Sequence, residues 1–238
     1  MILYTNGCSH VAAGEAVNYH CFANDDSQYF YMNRRPHPDN LKVSFSQILA
    51  NLLRARLICD AESAASNDRI LRTTDMFFDG QYYKQVGEEV FVLIGWTTFE
   101  REEWLHEGEY YQVNSSGVDQ VPDDLKQYYK EWVVSTATEW QAHQEKWHEK
   151  IWQLHLKFIE QNIKHLFFNS YMSFNLIKDR QDWGDNFIAP YDEESTYYNI
   201  LKTKGFQTRD GRDNGHYMAD GHQAYAHYLL PYLTKALS

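Results

Sequence analysis

The run Val90-Phe91-Val92-Leu93-Ile94, inside EVFVLIGW at 89–96, constrains the fold most. It is continuously apolar and rich in β-branched residues, and it is too short to be a buried helix. Such a run fits a central parallel strand buried on both faces. Parallel strands need crossover connections, so helices must flank it. Ile2 to Thr5 forms a second short apolar run, stopped by Asn6-Gly7, which reads as a strand followed by a tight turn.

The remaining pattern alternates. Ser44 to Arg56 carries Phe45, Ile48, Leu49, Leu52 and Leu53 at helical spacing. A brief strand is expected at 57–61. Residues 62–78 open with small polar residues and continue as a helix that Ser66 or Asn67 caps. TTFEREEW after the central strand reads as helix or loop, and 106–122 as polar and turn-rich. Residues 124–165 predict one or two amphipathic helices, with Trp132, Trp140, Trp147 and Trp152 as packing residues by default. A strand is expected in 165–175, a short helix near 193–203 in a loop-like stretch at 180–215, and a closing helix over Asp220–Lys235. Residues 20–40 read as a surface loop. With right-handed crossovers this order gives one domain over 1–238: a three-layer α/β/α sandwich with a parallel sheet of about five strands in flavodoxin-like order.

Composition narrows function. The chain is 43% hydrophobic, too apolar for disorder, and its net charge of −11 argues against a nucleic-acid partner. No run approaches the 18 or so apolar residues of a membrane span, and MILYTNGCSH has no basic leader. Cys8, Cys21 and Cys59 form no CxxC pair. The expectation is a cytoplasmic protein in a reducing compartment, with no membrane partner and no cofactor.

Two polar clusters carry the chemistry: NGCSH at 6–10, after the first strand, and DNGHYMADGH at 213–222, before the last helix. In an open parallel sheet these positions share the rim where ligands bind. A serine hydroxyl becomes a nucleophile when a base takes its proton and an acid orients the base. Ser9, His216 and Asp213 supply those groups, with capping and surface polarity as the structural alternative. Cys8 is a rival nucleophile or a packed neighbour. His222, two residues from Asp220, is a rival base or a structural residue. His10 reads as a rim residue, and Glu100 and Arg101 as an ion pair or rim groups. His10, Asp213, His216 and His222 form an alternative metal set, and no metal is expected.

These clusters resemble the SGNH/GDSL hydrolase superfamily, especially small phage and bacterial members, in four places spread over nearly the whole chain. Gly7-Cys8-Ser9 stands at the first block, with Ser9 at the nucleophile and Cys8 replacing an aspartate. DAESAASNDRI is similar to the second block, with Ala64 at the glycine that lends its amide to the oxyanion hole and Asn67 as a loop clamp. Gly95-Trp96-Thr97-Thr98 stands at the third block, with Thr97 replacing an asparagine donor. Asp213-Asn214-Gly215-His216-Tyr217, then Gly221-His222, is similar to the fifth. The resemblance implies a single domain with insertions near 100–130 and 180–212. It implies hydrolysis of a small-molecule or carbohydrate ester, an acetyl ester being one specific case. Catalysis would run through Ser9, His216 and Asp213, with an oxyanion hole of Ser9, Ala64 and Thr97 and support from Cys8, Asn67 and His222. The alternative is a degenerate fold of this type serving as a binding or structural phage protein, in a host cytoplasm or a virion.

Overall fold

The computed structural model describes residues 1–23, 33–80, 83, 87–115, 121–211 and 215–237, the side chain of Asp210 excepted. Four parallel strands form the main sheet: β1 (Ile2–Gly7), β2 (Arg56–Cys59), β3 (Val90–Trp96) and β6 (Lys164–Asn169). Their order is β2-β1-β3-β6, with β3 at the centre as its apolar run predicts. About five strands were expected; among the described residues the parallel sheet has four.

Alternation along the strands builds two cores. Tyr4, Val92, Ile94 and Phe167 face one side. There they meet α3 (Asn67–Asp79) and α5 (Trp140–Glu160) through Ile70, Phe78, Trp147, Ile151 and Phe158. Leu3, Phe91, Leu93, Leu166 and Phe168 face the other side. They pack on α2 (Phe45–Leu52), α6 (Tyr197–Thr203) and α7 (Ala219–Leu237). The short α1 (Pro38–Lys42) precedes α2, and α4 (Lys126–Thr138) precedes α5, the two meeting at Glu139. Ser66 caps α3, its Oγ accepting the Arg69 N–H at 3.2 Å. No helix among the described residues is long and apolar enough to cross a membrane.

Three local expectations are corrected. Asn6-Gly7 is not a turn but the end of β1. The Asn6 amide donates to Thr73 Oγ1 at 2.8 Å, Thr74 Oγ1 at 3.0 Å and the Ile70 carbonyl at 3.1 Å, which fixes the strand end to α3. Residues 102–113, expected as helix, loop or turn, form a hairpin of β4 (Glu102–His106) and β5 (Glu109–Val113). Its two-residue turn, Glu107-Gly108, has positive φ at both positions (49° and 86°), the backbone that matches strand twist. The 20–40 segment is not wholly surface: Cys21 and Phe22 are buried, and residues 24–32 lie outside the described residues. The default packing role of the tryptophans holds, with Trp132 and Trp147 buried and Trp140 and Trp152 packed against the core.

A histidine pair is sealed between α5 and β6. His165 Nδ1 lies 2.8 Å from the Ile163 carbonyl, which can only accept, so Nδ1 carries the proton and Nε2 accepts from His155 Nδ1 at 2.8 Å. Burial pushes the His165 pKa down to about 4, and His155 adds to the effect. The unfolded chain therefore binds a proton that the native state refuses between about pH 6.5 and 4, and native stability falls as pH falls through that window. Replacing both residues by leucine removes this linkage. Between pH 7.5 and 5.5 the wild type should lose at least about 1.4 kcal/mol relative to His155→Leu/His165→Leu, measured by urea unfolding. Parallel pH dependence of the two proteins would refute the assignment.

Candidate active site

The loop after β1 folds back over the sheet end because two glycines let it. Gly7 and Gly95 are direct partners in the β1–β3 register. A Cβ on Gly95 would stand 2.5 Å from the Phe168 ring and 2.7 Å from Val11 Cγ2. A Cβ on Gly7 would collide with the same Val11 side chain, and Gly7 has φ 156°. Val11 fills the gap, and its N–H and that of Ala12 both bond to the Cys8 carbonyl at 3.0 Å. The Gly14 N–H closes on the Ser9 carbonyl at 2.8 Å. This tight path sets Ser9 and His10 at the rim.

There, Cys8, Ser9, His10, Thr97, Thr98, Glu100, Arg101, Tyr171 and His216 line a cavity of about 200 Å³. The two polar clusters at opposite ends of the chain thus meet in one cleft. Among the described residues no hydrogen bond joins Ser9 to His216 directly.

His216 is held by a short bridge. Thr208 pairs with Tyr217, and the Arg209 N–H donates to the His216 carbonyl at 2.9 Å. The Arg209 Nε–H donates to the Glu15 carbonyl at 2.6 Å, so one arginine fixes both backbones. The Glu15 carboxylate lies 2.7 Å from His216 Nδ1. A carboxylate only accepts, so Nδ1 is the donor in this contact. Asp213, the expected acid, lies outside the described residues. No sequence signal marked Glu15, whose φ of 58° is set by the folded-back loop and whose partner is 201 residues away.

The other expected residues separate into two groups. Thr97 lines the cavity, and Asn67 grips its backbone: the Thr97 N–H donates to Asn67 Oδ1 at 3.0 Å, and Asn67 Nδ2 donates to the Thr97 carbonyl at 3.4 Å. Arg101 Nη1 donates to Thr97 Oγ1 at 3.4 Å, bringing a guanidinium to the same wall. No ion pair links Arg101 to Glu100 among the described residues, and both line the cavity. Ala64 is not among the lining residues. It sits at φ 68°, a backbone that favours glycine, and neither its N–H nor that of Ser9 bonds to another described residue. Cys8 is 1% exposed and packs into the core beneath the cavity. His222 does not reach the cavity. It is buried between the Phe45 N–H and the Tyr197 hydroxyl, both at 3.5 Å, and burial pushes its pKa down to about 3.

His10 is a wall residue rather than a rim residue. It is buried, its ring centroid is 5.6 Å from that of His216, and burial first, then His216 and Arg101, lower its pKa well below the ordinary value. It is therefore neutral at pH 7.

Buried Glu62 and Arg69 anchor the loop after β2 to α3 through an ion pair at 2.5 Å, and Arg69 Nη1 also donates to the Asp60 carbonyl at 2.7 Å.

No protein-family model, no curated protein and no solved structure matches the chain in the three comparisons made.

The glycine pair can be tested directly. Gly95→Ala should cost about 1–3 kcal/mol in urea unfolding, as expected for an extra methyl forced into a packed site. Unchanged stability would mean that the loop does not seat on the sheet end as described.

Proposed function

We propose that this protein is a serine hydrolase that cleaves an ester, with Ser9 as nucleophile, His216 as base and Glu15 as the acid that orients it. The observation that carries the reading is the His216 Nδ1–Glu15 contact at 2.7 Å, with His216 lining the same cavity as Ser9. The strand order β2-β1-β3-β6 with helices on both faces supports the finer expectation of a three-layer, flavodoxin-like sandwich, and with it the SGNH/GDSL resemblance.

Ser9 Oγ attacks the acyl carbonyl as His216 Nε2 takes its proton, and the imidazolium is stabilised by Glu15. The oxyanion takes the Ser9 N–H, the Thr97 hydroxyl and the Arg101 guanidinium. Arg101 supplies the positive charge that offsets the missing asparagine at 97. His216 then protonates the departing alkoxide. A water attacks the acyl-enzyme with His216 again as base, releasing the acid and restoring Ser9.

The small cavity fits a short acyl group. His10 Nδ1, Thr98 Oγ1 and Glu100 Oε2, on residues that line it, are buried with no hydrogen-bond partner among the described residues. Such atoms are costly to leave unpaired, so a substrate bearing hydroxyls suits this wall, and an acetylated carbohydrate is such a substrate.

A second reading, a binding module of the same fold without chemistry, draws on the absent Ser9–His216 hydrogen bond and on Thr97. A fluorophosphonate probe separates the two. The hydrolase reading expects one label on Ser9, lost in Ser9→Ala. It also expects kcat on a short-chain acetyl ester to fall by about 10²–10³ in Arg101→Ala, the range for losing one oxyanion donor. Absence of both labelling and turnover in the wild type would leave the binding module; labelling on Cys8 would move the nucleophile by one residue.

A further inference from the structure

Ester hydrolysis as proposed makes no use of Cys21, yet the fold brings its thiol to the Glu15–His216 contact. One ligand atom from each of Glu15, Cys21 and His216 lies within 4.8 Å of the other two. Cys21 is 3% exposed, while Glu15 and His216 are partly exposed. The Gly14 backbone packs close to the thiol: a Cβ there would stand 3.4 Å from Cys21 Sγ, 3.3 Å from Ser9 Cβ and 3.1 Å from Ser63 Oγ.

We infer that Glu15, Cys21 and His216 bind a thiolate-seeking divalent cation, with zinc as the expected ion, and that loading it switches off His216. Carboxylate, thiolate and neutral imidazole carry two negative charges between them, which a divalent cation neutralises. Three such ligands with a fourth position open form an accepted zinc donor set. Zinc bond lengths place the donor atoms of a tetrahedral site roughly 3.3–3.6 Å apart. The present set closes to that by small side-chain shifts, the Glu15–His216 contact opening and Cys21 moving in. This set differs from the His10, Asp213, His216 and His222 group that the sequence suggested, because His222 is held away from the cavity by Phe45 and Tyr197.

On binding, the Cys21 thiol gives its proton to solvent as the sulfur–metal bond forms. The Nδ1 lone pair bonds to the ion, and the single proton of the neutral imidazole moves to Nε2. Nε2 is the nitrogen that the proposed relay needs unprotonated, so the metal-loaded form lacks its base. This switching-off rests on the hydrolase reading; the metal site itself does not.

The test titrates Co²⁺ and then Zn²⁺ into chelator-treated full-length protein, and follows fluorophosphonate labelling of Ser9 with and without Zn²⁺. The expected result is one equivalent of Co²⁺ with an intense near-ultraviolet thiolate band that Zn²⁺ displaces. The band should vanish in Cys21→Ala and in the closer-sized Cys21→Ser, each labelled on Ser9 as fast as the wild type without metal. Zn²⁺ should slow labelling at least tenfold in the wild type and leave both variants unaffected. No thiolate band, or a band that survives both substitutions, overturns the site. Equal labelling at saturating Zn²⁺ overturns the switching-off alone. A Cys21-dependent band in a protein that the probe never labels keeps the metal site and removes the hydrolase reading.

Discussion

Gly7 and Gly95 face each other at the carboxyl ends of β1 and β3, and the space above them belongs to Val11. A methyl group on either would meet Val11, and on Gly95 also the Phe168 ring. The bare strand ends let the chain turn back on itself within residues 8–14 instead of leaving the sheet. That turn places Ser9 and His10 in the cavity wall and carries Glu15 to the His216 ring. The rest of the rim is braced from outside: Asn6 to α3, Asn67 to Thr97, Glu62 to Arg69, and Arg209 to both Glu15 and His216.

The electrostatics of this rim follow from burial. His10 and His222 are too deeply enclosed to accept a proton at neutral pH. His216 differs because its ring is partly exposed and one nitrogen faces a carboxylate. Arg101 brings a positive charge to the Thr97 hydroxyl. The cavity wall therefore carries a guanidinium, an imidazole and a serine hydroxyl, with three buried polar atoms that have no hydrogen-bond partner among the described residues.

The apolar run at 90–94 was readable as a central strand because nothing but burial on both faces explains five consecutive large apolar residues. The α3 start at Ser66 and the closing helix were readable from capping and 3.6-residue spacing. The β4–β5 hairpin was not, because Glu-Gly is a weaker turn signal than Asn-Gly and its strands are half-polar. The Asn6-Gly7 pair looked like a turn, and only the Thr73, Thr74 and Gly95 contacts make it strand. In the site, the sharing of one rim by the segment after the first strand and the segment before the last helix was legible from strand-end placement, and Ser9, Thr97 and His216 line one cavity. Glu15 and Cys21 were not legible, since their place beside His216 depends on loop closure between distant segments, and local sequence does not encode that.

The account turns on which carboxylate serves His216. The most direct measurement is the rate of phosphonate labelling at Ser9, against pH, in Glu15→Gln and Asp213→Asn. Glutamine can offer its N–H to Nδ1 and so favours the wrong tautomer. The account predicts a loss of about 10²-fold or more in Glu15→Gln, with Asp213→Asn close to the wild type. A slow Asp213→Asn beside an unimpaired Glu15→Gln would contradict it.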